Sequence, residues 1–102
     1  MEYFEGMRLL HLPLKAKWYD MIESGKKTEE YRAITEYWKK RLEKRNYTHV
    51  CFRYGYTRRT MTYPIQEITI GKGNPEWGAP QEDVFIIKFT NSVKIYEINI
   101  WQ

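Results

Sequence analysis

The sequence predicts an α+β domain, a mixed-strand β-barrel of about six strands with two helices in its N-terminal half. Three observations carry this. Apolar residues recur at helical spacing in two early segments only; from Thr48 onward the pattern is that of short strands; and those later strands follow one another without an intervening helix, unlike a doubly wound sheet. At 102 residues, the chain is expected to be a single domain, 1–102, with one core. Nine tyrosines, four tryptophans and four phenylalanines make that core aromatic-rich.

In chain order, residues 1–6 read as a short extension, and Met7 to Leu12 (MRLLHL) as a first strand ended by Pro13. Between Lys15 and Ser24, Trp18, Tyr19 and Ile22 recur at helical spacing, and Gly25 is placed as a left-handed C-cap. Lys26 and Lys27 suit the negative end of that helix. Thr28 to Arg32 is read as extended, Thr35 as the N-cap of a second and strongly basic helix, and THVCFR as a strand with Val50 and Phe52 on its core face. The stretch YGYTRRT reads either as a hairpin tip or as aromatics and arginines for nucleic acid. A long strand from Met61 to Gly71 is interrupted by Pro64, which marks a sheet edge or a bulge. KGNPEWGAPQED has the density of turn residues expected of a loop, and VFIIKFT and Val93 to Ile100 complete the core strands.

Lysines and arginines outnumber carboxylates 17 to 13, a net charge of +4, which favours a polyanionic partner. One cysteine cannot form an internal disulfide, and two histidines offer no zinc-ligand cluster, so no metal or cofactor is expected. No segment approaches the roughly 20 apolar residues of a membrane span. The expectation is a cytoplasmic protein with no membrane partner, and its oligomeric state is left open. A dinucleotide fingerprint, a P-loop and a nucleophile elbow are absent.

The densest chemistry lies in Gly25 to Arg32, GKKTEEYR. Alternation along an extended segment sends Thr28, Glu30 and Arg32 to one face, with Lys27 at the corner able to bend over it. Such a surface can meet phosphate or a base acceptor through Lys27 and Arg32, while Glu30 accepts from an exocyclic amine or orients Arg32. As an enzyme, a desolvated Lys27 would be the base, with Glu30 polarising a water or Thr28. A partly buried Glu30–Arg32 ion pair that only closes the barrel is the structural alternative.

The string G-x-K-x-x-E-x-R, present as Gly25, Lys27, Glu30 and Arg32, resembles the signature of the ASCH family, whose domains share the PUA-like barrel fold. LPLKAKWYDMIESG, FRYGY, PEWGA and DVFIIK are also similar to segments of small phage and bacterial members, along nearly the full chain. The resemblance implies a cleft beside the motif that takes RNA, a nucleoside or a nucleotide. Some small members are amidohydrolases that deacetylate acetylated cytidine through a lysine, a threonine and a distant glutamate. Lys27 matches that lysine, but the threonine falls where this chain has Glu30, and Thr28 stands two residues earlier. The expected function is therefore recognition by a cleft lined by Lys27, Thr28, Glu30 and Arg32. Lys15, Arg53 and Tyr56 join that lining, and Trp77 acts as a plug or base platform. Hydrolysis of an acylated nucleoside by Lys27, Glu30 and Thr28 ranks second, and a protein-interaction module third.

Overall fold

The computed structural model describes residues 6–91, so the strand expected over 93–100 lies outside the described residues. Strands β1 (Leu9–Leu14), β2 (Glu29–Ala33), β3 (His49–Tyr54), β4 (Thr60–Lys72) and β5 (Asp83–Phe89) alternate early with helices α1 (Ala16–Glu23) and α2 (Glu36–Leu42). The sheet order is β1-β3-β4-β5-β2, curled into a half-barrel. Among the described residues only β1 and β3 run parallel, because the chain between them makes a crossover through α1, β2 and α2. The α+β class holds, with two helices and five strands among the described residues.

The curl has a local cause. β4 pairs with β3 through Thr60 to Pro64, then with β5 from Ile65 onward, with a bulge between Ile65 and Glu67. Pro64, which has no N–H to give a ladder, sits where the strand changes partner. Pro13 does not end the first strand as expected, for β1 runs on to Leu14. β1 hydrogen-bonds only to β3 among the described residues, and an edge strand tolerates a missing donor.

β1 turns Leu10, Leu12 and Leu14 inward, and Phe52, Tyr63 and Phe89 bring three rings together from β3, β4 and β5 at centroid separations of 5.0 to 6.2 Å. Tyr19 and Ile22 of α1 and Leu42 of α2 close over them. Cys51 is buried, as expected, along with its cross-strand neighbour Thr62, so β3 is covered on both faces rather than one. α2 is N-capped by Thr35, whose hydroxyl accepts from the Trp38 N–H. No helix among the described residues is long and apolar enough to cross a membrane.

The corner between α1 and β2 is a Schellman turn. Gly25 takes φ of +88° and donates to Ile22 O, while Lys26 N–H reaches back to Met21 O. Lys27 N–H bonds Met21 O as well, and Asn91 Nδ2 donates to Ile22 O and Lys27 O. Position 27 is thereby fixed before the strand begins.

Candidate functional site

Among the described residues β1 and β2 are the two edges of the curled sheet, and a cleft of about 260 Å³ lies between them, lined by Pro13 and Leu14 on one side and Glu30 to Arg32 on the other. Trp18 of α1 and the turn Trp77–Gly78 form its remaining walls. Across this seam, side chains take the place that strand pairing has elsewhere in the sheet.

Lys27 is only 1% exposed, a rare setting for a lysine, which is buried only where partners meet its amine. Its Nζ donates to Glu30 Oε1 at 2.8 Å and to the Trp77 carbonyl at 2.6 Å. The rings of Trp18 and Tyr31 lie 4.4 and 5.5 Å away and add cation–π attraction. Burial lowers the Lys27 pKa from its ordinary value; Glu30 opposes that shift and Arg32 adds to it. Glu30 is itself buried, and its second oxygen accepts from Arg32 Nη1. The same Nη1 donates to the Tyr31 carbonyl at 2.7 Å. The arrangement is a cation–carboxylate–cation triad with Glu30 as its centre.

Arg32 faces outward more than its partners, with 18% of its side chain exposed. Both of its hydrogen bonds among the described residues use Nη1, so Nε and Nη2 still have donors to offer. Its guanidinium also lies 5.3 Å from the Trp38 ring centroid on α2. Tyr31 points the other way along the strand, bonding Glu29 Oε1 and accepting from Asn74 N–H, and burial raises its pKa.

The loop after β4 is held against this site by two close approaches. A Cβ at Gly73 would meet the Tyr31 ring and Ala79 at 2.6 Å; one at Gly78 would meet Trp18 at 2.9 Å, and Gly78 has φ of +97°. The glycines let the turn Pro75–Trp77 close down and place the Trp77 carbonyl on Lys27. Trp77 itself packs on the Tyr31, Ala79, Val84 and Ile86 cluster, as a plug does.

Of the residues expected in the cleft, Lys15, Lys27, Glu30, Arg32 and Trp77 line it. Thr28 precedes β2 and lines a separate depression with Lys88 and Thr90. Arg53 stands opposite Pro13 in the register, with its guanidinium 5.8 Å from the ring of Tyr56, which is largely exposed in the β3–β4 turn. Trp18 was read as a helical core position, and its contact with Lys27 has no sequence signal beyond an aromatic on α1. A larger depression of about 540 Å³ beside β4 contains none of the triad. Among the described residues, no group of three or more His, Cys, Asp or Glu side chains is placed to hold a metal ion.

Comparison with protein-family models, with curated proteins and with solved structures finds no match. Site and fold together define a small α+β domain with a buried ionic triad at the open seam of its sheet.

Proposed function

We propose that the chain is a recognition domain of the ASCH family, with a PUA-like barrel, that takes RNA or a nucleotide-like ligand in the seam cleft. One observation carries this reading: Arg32 is clamped by Glu30 and the Tyr31 carbonyl at the wall of an open cleft, with donors to spare. A pre-oriented guanidinium suits phosphate or the acceptor edge of a base. Lys15 supplies an exposed cation at the rim, and Trp18 an aromatic wall. Lys27 and Glu30 act as positioning residues, since their charges are already engaged with each other and with Arg32 or the Trp77 carbonyl. The buried Cys51 suits a reducing cytoplasm.

Titration with nucleoside monophosphates and with a labelled single-stranded RNA, at two salt concentrations, tests the reading. Binding weakens as salt rises and is lost in Arg32→Ala. Absence of binding to both ligands at low salt contradicts it.

A second reading, hydrolysis of an acylated nucleoside, draws support from the lowered pKa of Lys27, which leaves more of its amine neutral and free to take a proton than in an ordinary lysine. Thr28, expected beside Lys27 in this reading, lines another depression. Acetate release from acetylated cytidine that depends on Lys27 is its expected outcome. No turnover across a panel of acylated nucleosides rejects it.

A further inference from the structure

We propose that the exposed face of α2 continues the cleft as a track for the flanking nucleotides of a single-stranded polynucleotide, an inference that rests on the recognition reading of the cleft. Arg32 lines the cleft, and its guanidinium lies 5.3 Å from the Trp38 ring centroid on α2. Trp38 meets Tyr37 edge-on, centroids 5.0 Å apart at 85°. The guanidinium of Arg41 lies 3.8 Å over the Tyr37 ring. Guanidinium, indole, phenol and guanidinium thus run in contact from the cleft onto the helix surface.

An amphipathic helix needs only its inward residues, here Leu42 and the half-buried Trp38, to dock on the sheet. Packing on the core does not require Tyr37, which is 54% exposed. Around it, residues 36–45 carry five cations against two carboxylates, Glu36 and Glu43. Of these, Lys39 is within 3.5 Å of Glu36, while Lys40, Arg41, Lys44 and Arg45 are all exposed. Lys44 holds φ of +62°, a left-handed position that glycine would occupy at lower cost. Along α2 and just past it the surface is a depression of about 490 Å³, lined by Lys39, Lys40, Lys44 and Arg45 together with Glu36 and Glu43.

Cations alone would suit any acidic partner. Exposed rings interleaved with guanidinium groups suit a chain that alternates phosphates with flat bases, because the rings stack bases while the cations meet the backbone. An acidic peptide has no use for the rings. The footprint is therefore that of a polymer longer than the single unit held in the cleft.

Anisotropy titration of a labelled 12-nucleotide single-stranded RNA, beside calorimetric titration of a nucleoside monophosphate, tests this with the full chain. The α2 substitutions are all at exposed positions, and unchanged thermal melts confirm folding of every variant. Lys40→Glu with Arg41→Glu is expected to weaken the oligonucleotide at least about tenfold and to reduce the slope of log affinity against log salt by about two. Tyr37→Ala is expected to weaken it on the order of tenfold at any salt concentration. Neither change alters affinity for the monophosphate, whereas Arg32→Gln weakens both ligands. The inference is overturned, with the cleft reading intact, if the oligonucleotide binds no tighter than the monophosphate or ignores the α2 changes. It is overturned as well if a polyglutamate peptide binds as tightly as the RNA and responds alike to Tyr37→Ala, which marks an acidic-peptide surface. If Arg32→Gln leaves both ligands unaffected, or neither ligand binds, the cleft reading falls and the track falls with it.

Discussion

Phe52 at the centre of the sheet and Lys27 at its seam are almost equally hidden from water, at 0% and 1% exposure, but different forces hold them there. Burying Phe52 gains transfer free energy, about 1.5–3 kcal/mol for a side chain of this kind, and its packing against Tyr63 and Phe89 adds to that. Burying Lys27 costs desolvation, offset by Glu30, the Trp77 carbonyl and two aromatic rings. Apolar residues of similar volume would seal the seam at least as well, so stability alone does not explain an ionic triad there. The centre makes the domain fold, and the seam presents the charged wall at which we propose that the ligand binds.

Substitutions separate the two regions, and the largest effects come first. Phe52→Ala and Glu30→Ala should each cost about 3–5 kcal/mol in chemical denaturation, the first through a cavity and the second by stranding the buried ammonium of Lys27. The seam differs in being rescuable. Lys27→Met combined with Glu30→Leu should recover most of the loss, while ligand affinity falls because Arg32 loses its clamp. A double variant as unstable as Glu30→Ala would erase the contrast.

Next in size, Gly78→Ala should cost about 1–3 kcal/mol, because it combines a left-handed backbone with a Cβ pressed on Trp18. Gly25→Ala, also left-handed but facing open space, should cost roughly 1 kcal/mol. Equal costs would mean that the Trp18 contact yields freely and that the Trp77 turn is not held against the seam.

A graded effect follows from protonation. Unfolded, Lys27 keeps its proton to about 10.5, while burial lowers that value in the fold. Between the two values the unfolded state binds more protons, so stability rises with pH through that window. Tyr19 acts oppositely: burial pushes its phenol up to about 12, and stability present below pH 10 is lost as pH approaches that value. In a Tyr19→Phe background, the stability of the Lys27 protein relative to Lys27→Met should therefore improve as pH rises toward 10. A difference that stays flat with pH would show Lys27 to be no more desolvated than a surface lysine. The smallest effect belongs to the exposed pair Lys72–Asp83, where Lys72→Ala should change stability by less than about 0.5 kcal/mol.

Much of this was legible because its causes are local. Gly25 closes its helix, Thr35 opens the next, and Pro64 stands at the bend of β4, each through backbone chemistry written in one or a few residues. The pairing of Glu30 with Arg32 followed from strand alternation for the same reason. What could not be read is the rest of Lys27's surroundings. Its carbonyl acceptor belongs to Trp77, fifty residues away, and any residue could supply a carbonyl. Trp18 carries a helical-core pattern and a cation-facing ring at once. Thr28 lies just before β2, which begins at Glu29, and lines a different depression from Glu30 and Arg32. Pro13 misled because its effect depends on whether the strand lies at an edge, which is a property of the assembled sheet.

The central claim is that Arg32, held by the triad, meets the ligand in the seam. Its most direct test is a titration of nitrogen-15-labelled protein with a nucleoside monophosphate, following the Arg32 Nε–H, the Trp18 indole N–H and the Gly78 amide. The account predicts saturable shifts at all three, with the Arg32 response lost in Glu30→Gln. Shifts confined to α2 or to the depression beside β4, with those three signals unmoved, would contradict it.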